Sequence, residues 1–478
     1  MVGDGWANTK PEEIEMSAEY DVDLAVIGSG GAAMAAGIAA RKAGAEVVLI
    51  ERGALGGTCV NVGCIPSKTL LAAAGTRHSA LTNPFDGVPT SADGVDLDAL
   101  VAQKAELIDR LKQHKYTEVA DAWGFPLISG EARFADKDTV EVDGKPLRAR
   151  SYVIATGSQP TVRGIDGIED VEYLTSTTAM ELTEVPESLV IIGGGYVGME
   201  QAQLFAHLGA RVTVIGRLAP RAEPELREVM AGVFADDGIA VIAEHATGVE
   251  TAEEGGVRVI TASGNQVTAE RLLVATGRHS DTIALDLAAA GVDTDARGFV
   301  VIDEHQATSN PRVYAAGDVA GTPQYVYVAA ASGRVAAVNA LADGGTKRET
   351  VDYTGLPAVM FTRPQLASAG LTEKEALEQG HPCACRTLAL EDVPRALVNR
   401  DTRGALKLVA DASTGKVLGV HAVADGAGEI MLAATYAIKA EMTVDDLADT
   451  WAPYLTMAES LRIAAGLFRN ELPTSCCA

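Results

Sequence analysis

Two short glycine patterns constrain this chain more than any other feature. Asp23-Leu-Ala-Val-Ile27 is an apolar run of strand length that leads into Gly28-Ser-Gly30-Gly-Ala-Ala33, and an Ala-rich helical stretch follows to about Gly44. Glu46-Val-Val-Leu-Ile50 is a second strand, ended by Glu51. The same grammar returns later. Leu189-Val-Ile-Ile192 precedes Gly193-Gly-Gly195-Tyr-Val-Gly198, a helix runs to Leu208, and Arg211-Val-Thr-Val-Ile215 closes the unit. Each is a strand–helix–strand module of the dinucleotide-binding kind, so the chain is expected to fold as α/β with two such modules. In each pattern the first Gly permits the tight turn, and the second lets a pyrophosphate approach the backbone. The small third residue, Ala33 or Gly198, lets helix and strand pack closely, and the helix N-terminus favours the phosphate charge. Glu51 can accept from ribose hydroxyls. The second module ends in Gly216-Arg217, with no carboxylate there; an Arg suits the extra 2′-phosphate of NADPH, with Arg221 close by.

The strand ending Arg150-Ser-Tyr-Val-Ile-Ala-Thr-Gly157 is closely repeated by Arg271-Leu-Leu-Val-Ala-Thr-Gly277, and Val313-Tyr-Ala-Ala-Gly317-Asp318 is a third strand ending. The first two return the chain between the nucleotide domains. Beyond about Val351, Val-rich strands mix with helices in an α+β pattern. The expected organisation is a disordered tail over 1–20, a first nucleotide domain over 21–159 and 278–350, a second over 160–277, and a C-terminal α+β domain over 351–478.

Composition excludes several classes. With 39 Lys plus Arg against 65 Asp plus Glu, the net charge of −26 repels nucleic acid and anionic membrane surfaces. No apolar run reaches spanning length, and residues 1–20 lack the basic and apolar regions of a signal peptide, which points to the cytoplasm. Six cysteines in 478 residues make no disulfide scaffold. They fall in pairs, as redox or soft-metal chemistry requires: Cys59 and Cys64, Cys383 and Cys385, Cys476 and Cys477.

The most specific stretch is Gly56-Gly57-Thr58-Cys59-Val-Asn-Val-Gly-Cys64-Ile-Pro66-Ser67-Lys68. Pro66 fits an early helical position. A helix N-terminus and the nearby Lys68 both stabilise a thiolate, so the pair can cycle between dithiol and disulfide. The stretch resembles the signature of the pyridine nucleotide–disulfide oxidoreductases, the family of glutathione reductase and lipoamide dehydrogenase, and the likeness runs from about Tyr20 to the C-terminus. It implies a glutathione reductase-like fold with a dimerising C-terminal domain. FAD would be held by the first glycine pattern together with Gly57, Thr58, Thr156, Gly157, Arg278, Gly317 and Asp318. The nicotinamide cofactor would lie on Gly193, Gly195, Gly198 and Arg217. Cys64 would be the thiolate facing the flavin and Cys59 the one that meets substrate. Glu200 would pair with Lys68, and Tyr196 would cover the nicotinamide pocket.

The C-terminal end departs from the disulfide reductases. They carry a His-Pro-Thr stretch with a Glu five residues after the His, which serves as acid and base for thiol exchange. Here the stretch reads Tyr454-Leu-Thr456-Met-Ala-Glu459. A phenol is a poor proton shuttle for a thiol at neutral pH. His207 and His421 read as structural. The tail, Ser475-Cys476-Cys477-Ala478, is a soft-metal clamp, and two thiolates suit a cation of low coordination number such as Hg(II). Together these features resemble the mercuric ion reductases. That resemblance implies a homodimer in which the partner's tail delivers Hg(II) to Cys59 and Cys64, with Tyr116 and Tyr454 flanking the metal and Lys68 steadying charge on the reduced flavin. The stretches 356–364 and 392–396 share the likeness. Tyr196 and Gly195 look more like the glutathione reductase pattern, and no Cys-x-x-Cys metal-binding domain precedes Cys59. Cys383-x-Cys385 fits no family motif and reads as a surface loop rather than as a second metal contact. Two rival readings are a reductase of a small disulfide and a flavoprotein that sequesters metal without turnover.

Overall fold

The apolar run before the first glycine pattern is the central strand of a sheet in a computed structural model that describes residues 20–162, 164–253, 255–280, 282–342 and 348–470. Most of the expected N-terminal tail, 1–19, and the pair Cys476 and Cys477 lie outside the described residues. Two compact units divide the chain. The first comprises Met1–Gly57, Lys112–Ser158 and His279–Val351, and the second Thr58–Leu111, Gln159–Arg278 and Asp352–Ala478.

In the first unit, five parallel strands stand in the order Val313–Ala315, Ala149–Ile154, Val22–Ile27, Val47–Glu51 and Leu127–Ser129. Leu24, Ala25 and Val26 are all fully buried. Elements cover both faces of a parallel sheet, which is why these strands read as unbroken apolar runs without alternation. The helices Gly31–Lys42 and Val326–Leu341 cross here. A Cβ on Gly333 would lie 2.0 Å from the Ala32 carbonyl oxygen, so only glycine allows this approach. Gly333→Ala is therefore expected to destabilise the protein by about 1–3 kcal/mol. The check is the urea unfolding midpoint; an unchanged midpoint would show that the two helices separate at no cost.

In the second unit the second glycine pattern follows Ser188–Ile192, within a parallel sheet ordered Ala240–Ile242, Arg211–Ile215, Ser188–Ile192, Arg271–Val274. A three-stranded antiparallel sheet, Ala246–Thr251, Val257–Thr261 and Gln266–Ala269, accompanies it. The C-terminal part is an antiparallel sheet ordered Pro357–Met360, Gln365–Gly370, Val417–Ala424, Ala405–Asp411, Cys383–Ala389. Leu406, Leu408, Val420 and Ala422 form its core with Met431 and Ala434 of the helix Ala427–Lys439. The expected α/β class with a C-terminal α+β region is what the chain adopts. One expectation is corrected. Cys383 and Cys385 do not lie in a loop; they open the edge strand Cys383–Ala389, with Cys385 opposite Val409. Seven residues pair in register with Ala405–Asp411, and the backbone hydrogen bonds on that side outweigh the weak strand pattern of Cys-Ala-Cys-Arg. No helix among the described residues is long and apolar enough to cross a membrane.

Candidate active site

Cys64 is the first residue of the helix Cys64–Leu81, and Gly63 caps it without a side-chain hydrogen bond. A Cβ on Gly63 would lie 2.9 Å from the Thr58 carbonyl oxygen, so glycine lets the chain between the cysteines fold back on itself. Cys59 and Cys64 are free thiols, both half-buried. They are unequal. The Cys59 thiol donates to Cys64, and that bond together with the Lys68 ammonium lowers Cys64 to about 7 against the opposing effects of burial and Glu200. The same bond, then burial, pushes Cys59 far above the usual thiol range. Cys64 is thus the member of the pair that becomes thiolate at neutral pH. Alkylation of the reduced protein by iodoacetamide should rise with pH through an apparent pKa near 7, with Cys64 modified first. Lys68→Met should move that profile upward; a profile centred on the ordinary thiol value in both proteins would refute the assignment.

Lys68 lies one turn along the same helix from Cys64. Its Nζ donates to Glu200 Oε2 at 2.7 Å and stands 4.8 Å from the Phe361 ring centroid. Glu200 is buried, and its other oxygen accepts from the Phe361 backbone N–H at 2.9 Å. The carboxylate therefore has a partner at each oxygen, and the ammonium is held in one place beside the thiols. Phe361 contributes to this arrangement by its backbone and its ring. Phe361 lies in the stretch 356–364 that shares the family likeness, but that likeness gives it no role.

The first glycine cradle is built as nucleotide binding requires. Gly28 has φ +119°, and a Cβ there would meet the Ala155 carbonyl oxygen at 2.4 Å. Ser29 Oγ donates to Glu51 Oε2 at 2.6 Å and accepts from the Gly56 N–H, while the Gly53 N–H donates to Glu51 Oε1. Glu51 is thus oriented at the strand end, as the ribose contact expects. Gly30 and Gly57 face each other closely, since a Cβ on Gly57 would lie 2.8 Å from the Gly30 Cα. Ser158 Oγ donates to Asp318 Oδ2 at 2.9 Å, and Gly317 adopts φ +76° next to it. Thr156 Oγ1 is buried with no hydrogen-bond partner among the described residues, which a bound cofactor would supply. These residues fit a flavin dinucleotide. Gly157 takes a positive φ, and Ala33 is fully buried in the strand–helix contact.

The second cradle repeats the geometry. Gly193 has φ +120°, and a Cβ on Gly198 would lie 1.9 Å from the Gly193 carbonyl oxygen. At Gly195 a Cβ would meet nothing within 4 Å, which leaves open space at the uncapped start of the helix Tyr196–Leu208. That combination suits a phosphate. Arg217 and Arg221 are exposed on the segment after Ile215, and Tyr196 is half-buried at the first helical position. Arg278 follows the Thr276-Gly277 strand ending and is half-buried.

Tyr116 sits in a π-helical turn, Gln113–Thr117, half-buried against the first unit's core. Such widened turns recur at functional sites. In the second unit, Tyr454 is half exposed beside Leu455, which adopts φ +62°. Glu459 is buried; Arg462 reaches one carboxylate oxygen at 3.3 Å, and Oε2 has no partner among the described residues. Leu432 and Tyr436, one turn apart on Ala427–Lys439, are exposed at 53% and 64%, and Trp451 at 98%. Leu432 and Tyr436 together give that helix an exposed apolar face. His207 and His421 are both buried. His207 Nε2 meets Asp237 Oδ2 at 3.0 Å, and His421 Nε2 meets the Leu371 carbonyl at 2.9 Å, which fits their structural reading.

A family profile described as pyridine nucleotide-disulphide oxidoreductase matches residues 22–333, and its dimerisation domain matches residues 356–465. The chain is 52% identical to a mercuric reductase of Streptomyces lividans, over 97% of this chain and 100% of that one. It is 47% identical to a mercuric reductase of Bacillus cereus, over 96% of this chain and 73% of the relative. Among solved structures it resembles the HOCl-induced flavoprotein disulfide reductase RclA of Escherichia coli, with a TM-score of 0.83 and 30% identity over 93% of this chain and 99% of that one. A glycine cradle for a flavin, a second for a nicotinamide nucleotide, an unequal thiol pair and a matching dimerisation domain coincide in one chain: it belongs to the pyridine nucleotide–disulphide oxidoreductase family and, within it, groups with the mercuric reductases.

Proposed function

We propose that this chain reduces Hg(II) to elemental mercury with electrons from NADPH, using FAD, as a cytoplasmic homodimer. The observation that carries the reading is the Cys64 thiol, lowered to about 7 beside Cys59 and Lys68, in a chain that matches mercuric reductases over nearly its whole length. The segments 21–159 and 278–350 are assigned to FAD, 160–277 to NADPH and 351–478 to the dimer interface. The exposed apolar face of Leu432 and Tyr436 suits burial against a second copy. Free thiols at Cys59, Cys64, Cys383 and Cys385 suit a reducing compartment.

When bound, FAD and NADPH supply a two-electron route from the nicotinamide to the thiol pair and its metal. The chain's residues do the rest. Cys476 and Cys477 take Hg(II) from a dithiolate carrier, and Cys59 and Cys64 then take it from them. In each exchange two S–Hg bonds form as two break, and the protons of the incoming thiols go to the departing thiolates, so no bare cation is released. Lys68, anchored by Glu200, sets positive charge beside the thiolate. Tyr116 and Tyr454 line the metal's path. Tyr454 also disfavours thiol exchange on a disulfide substrate, because a phenol holds its proton at neutral pH.

The test compares acceptors in steady state. NADPH oxidation should depend on Hg(II) presented with excess thiol, and glutathione disulfide should support little turnover. A disulfide rate comparable with the Hg(II) rate would favour a small-disulfide reductase. The same assay examines coenzyme choice: Arg217→Ala should raise KM for NADPH roughly tenfold while leaving that for NADH nearly unchanged. Equal effects on both coenzymes would remove Arg217 from 2′-phosphate recognition.

A further inference from the structure

The chemistry of the proposed function leaves Cys383 and Cys385 unused. They are two residues apart on an edge strand, so their side chains leave the same face of the sheet. Asp411 lies opposite Cys383 and the buried Val409 opposite Cys385, and Lys407 and His421 face each other on the next two strands. The Cys383 Sγ lies 3.5 Å from the His381 carbonyl oxygen and 3.9 Å from that of Glu373. The Glu373 carboxylate bonds the Lys407 ammonium at 2.7 Å and also interacts with the Cys385 thiol. Both cysteines are free and half-buried.

We infer that Cys383 and Cys385 form a second, non-redox clamp for a soft two-coordinate cation such as Hg(II). Geometry separates this use from a disulfide. Parallel side chains two residues apart on a strand start about 6.6 Å apart. A disulfide needs Cβ atoms about 3.8 Å apart. A linear sulfur–metal–sulfur unit with bonds of about 2.3 Å spans about 4.6 Å, which two converging thiols reach without moving the backbone. The surroundings favour a cation: the negative charges of Glu373, Asp411 and Glu223 act on Cys383 and that of Glu373 on Cys385, against the positive charge of Lys407. Burial, and then the Glu373 carboxylate, raises Cys385 to about 12, and Cys383 is raised for similar reasons. The pair therefore stays protonated and slow to oxidise or alkylate until a soft metal displaces its protons. The exchange is redox neutral. Two S–Hg bonds to carrier thiolates break, two form to Cys383 and Cys385, and both protons leave on the carrier thiols.

Binding at this pair is separable from turnover. The full chain has six cysteines, so a flavin-loaded variant with Cys59, Cys64, Cys476 and Cys477 changed to Ser retains only this pair. It is loaded with Hg(II) in millimolar glutathione and passed through a desalting column. The expected result is one Hg(II) per chain with both thiols lost to a thiol reagent under denaturing conditions, and at least a tenfold loss of retention on adding Cys385→Ser. No retained metal, or one metal on each thiol independently, would overturn the clamp. In the unmodified enzyme, Hg(II) should also protect the Cys383–Cys385 peptide from slow alkylation, as read by mass spectrometry. Unprotected thiols there would overturn it without recourse to a variant.

Discussion

Cys64→Ser is expected to lower Hg(II)-dependent NADPH oxidation on the order of 10³-fold or more, with flavin still bound. The reason is local. Cys64 is the thiol at the start of the helix Cys64–Leu81, and it receives both the Cys59 hydrogen bond and the field of Lys68. A serine hydroxyl neither ionises near neutral pH nor binds a soft metal. Cys59→Ser should also abolish turnover, but through a different defect. Without the Cys59 donor, Cys64 loses the largest influence that lowers its pKa, so its alkylation profile should move upward. Rate measurements with thiol-bound Hg(II), paired with flavin absorbance to confirm cofactor content, check both variants. Substantial turnover by Cys64→Ser would remove the thiol pair from the reaction.

The second large effect concerns stability. Lys407→Met is expected to cost about 3–5 kcal/mol. Lys407 is only 1% exposed, and its Nζ donates to Glu223 at 2.9 Å, Glu225 at 2.9 Å and Glu373 at 2.7 Å. Glu223 is itself buried, and its other oxygen accepts from the Glu373 backbone N–H at 2.6 Å. Removal of the ammonium leaves a buried carboxylate with no compensating charge. That residual charge is the larger part of the expected loss, so Glu223→Gln in the Lys407→Met background should recover part of it. Urea unfolding of the flavin-loaded protein measures both. A loss below about 1 kcal/mol for Lys407→Met would mean that water reaches the site and screens the charges.

How much of this was legible in the sequence depended on whether a residue acts through its own backbone or through distant partners. Gly28 and Gly193 announce themselves because a positive φ and a carbonyl at 2.4 or 2.3 Å leave no alternative to glycine. The spacing of Cys59 and Cys64 ahead of Pro66 likewise marks a helix start. The pairing of Lys68 with Glu200, 132 positions away, came from resemblance, because nothing local in either residue signals it. Lys407 was invisible: a lysine within Ala405–Asp411 suggests a solvent-facing strand position, and its acidic partners arrive from the starts of two separate helices, one of them Pro224–Asp236. The π-helical turn around Tyr116 also left no trace, since slipping one hydrogen bond requires no particular residue. At Cys383 and Cys385 a strand replaces the expected loop because pairing there is set by the neighbouring strand.

In the proposed reaction, electrons from NADPH reach a thiol-held metal and release it as the element. A single turnover without oxygen tests this: one equivalent of NADPH and one of Hg(II) dithiolate are added to flavin-loaded enzyme whose Cys59 and Cys64 have already been reduced, and mercury vapour is swept into a trap. The expected result is one elemental mercury collected per NADPH consumed, with the flavin returned to its oxidised spectrum. Metal that stays bound to the protein while NADPH is spared would contradict it.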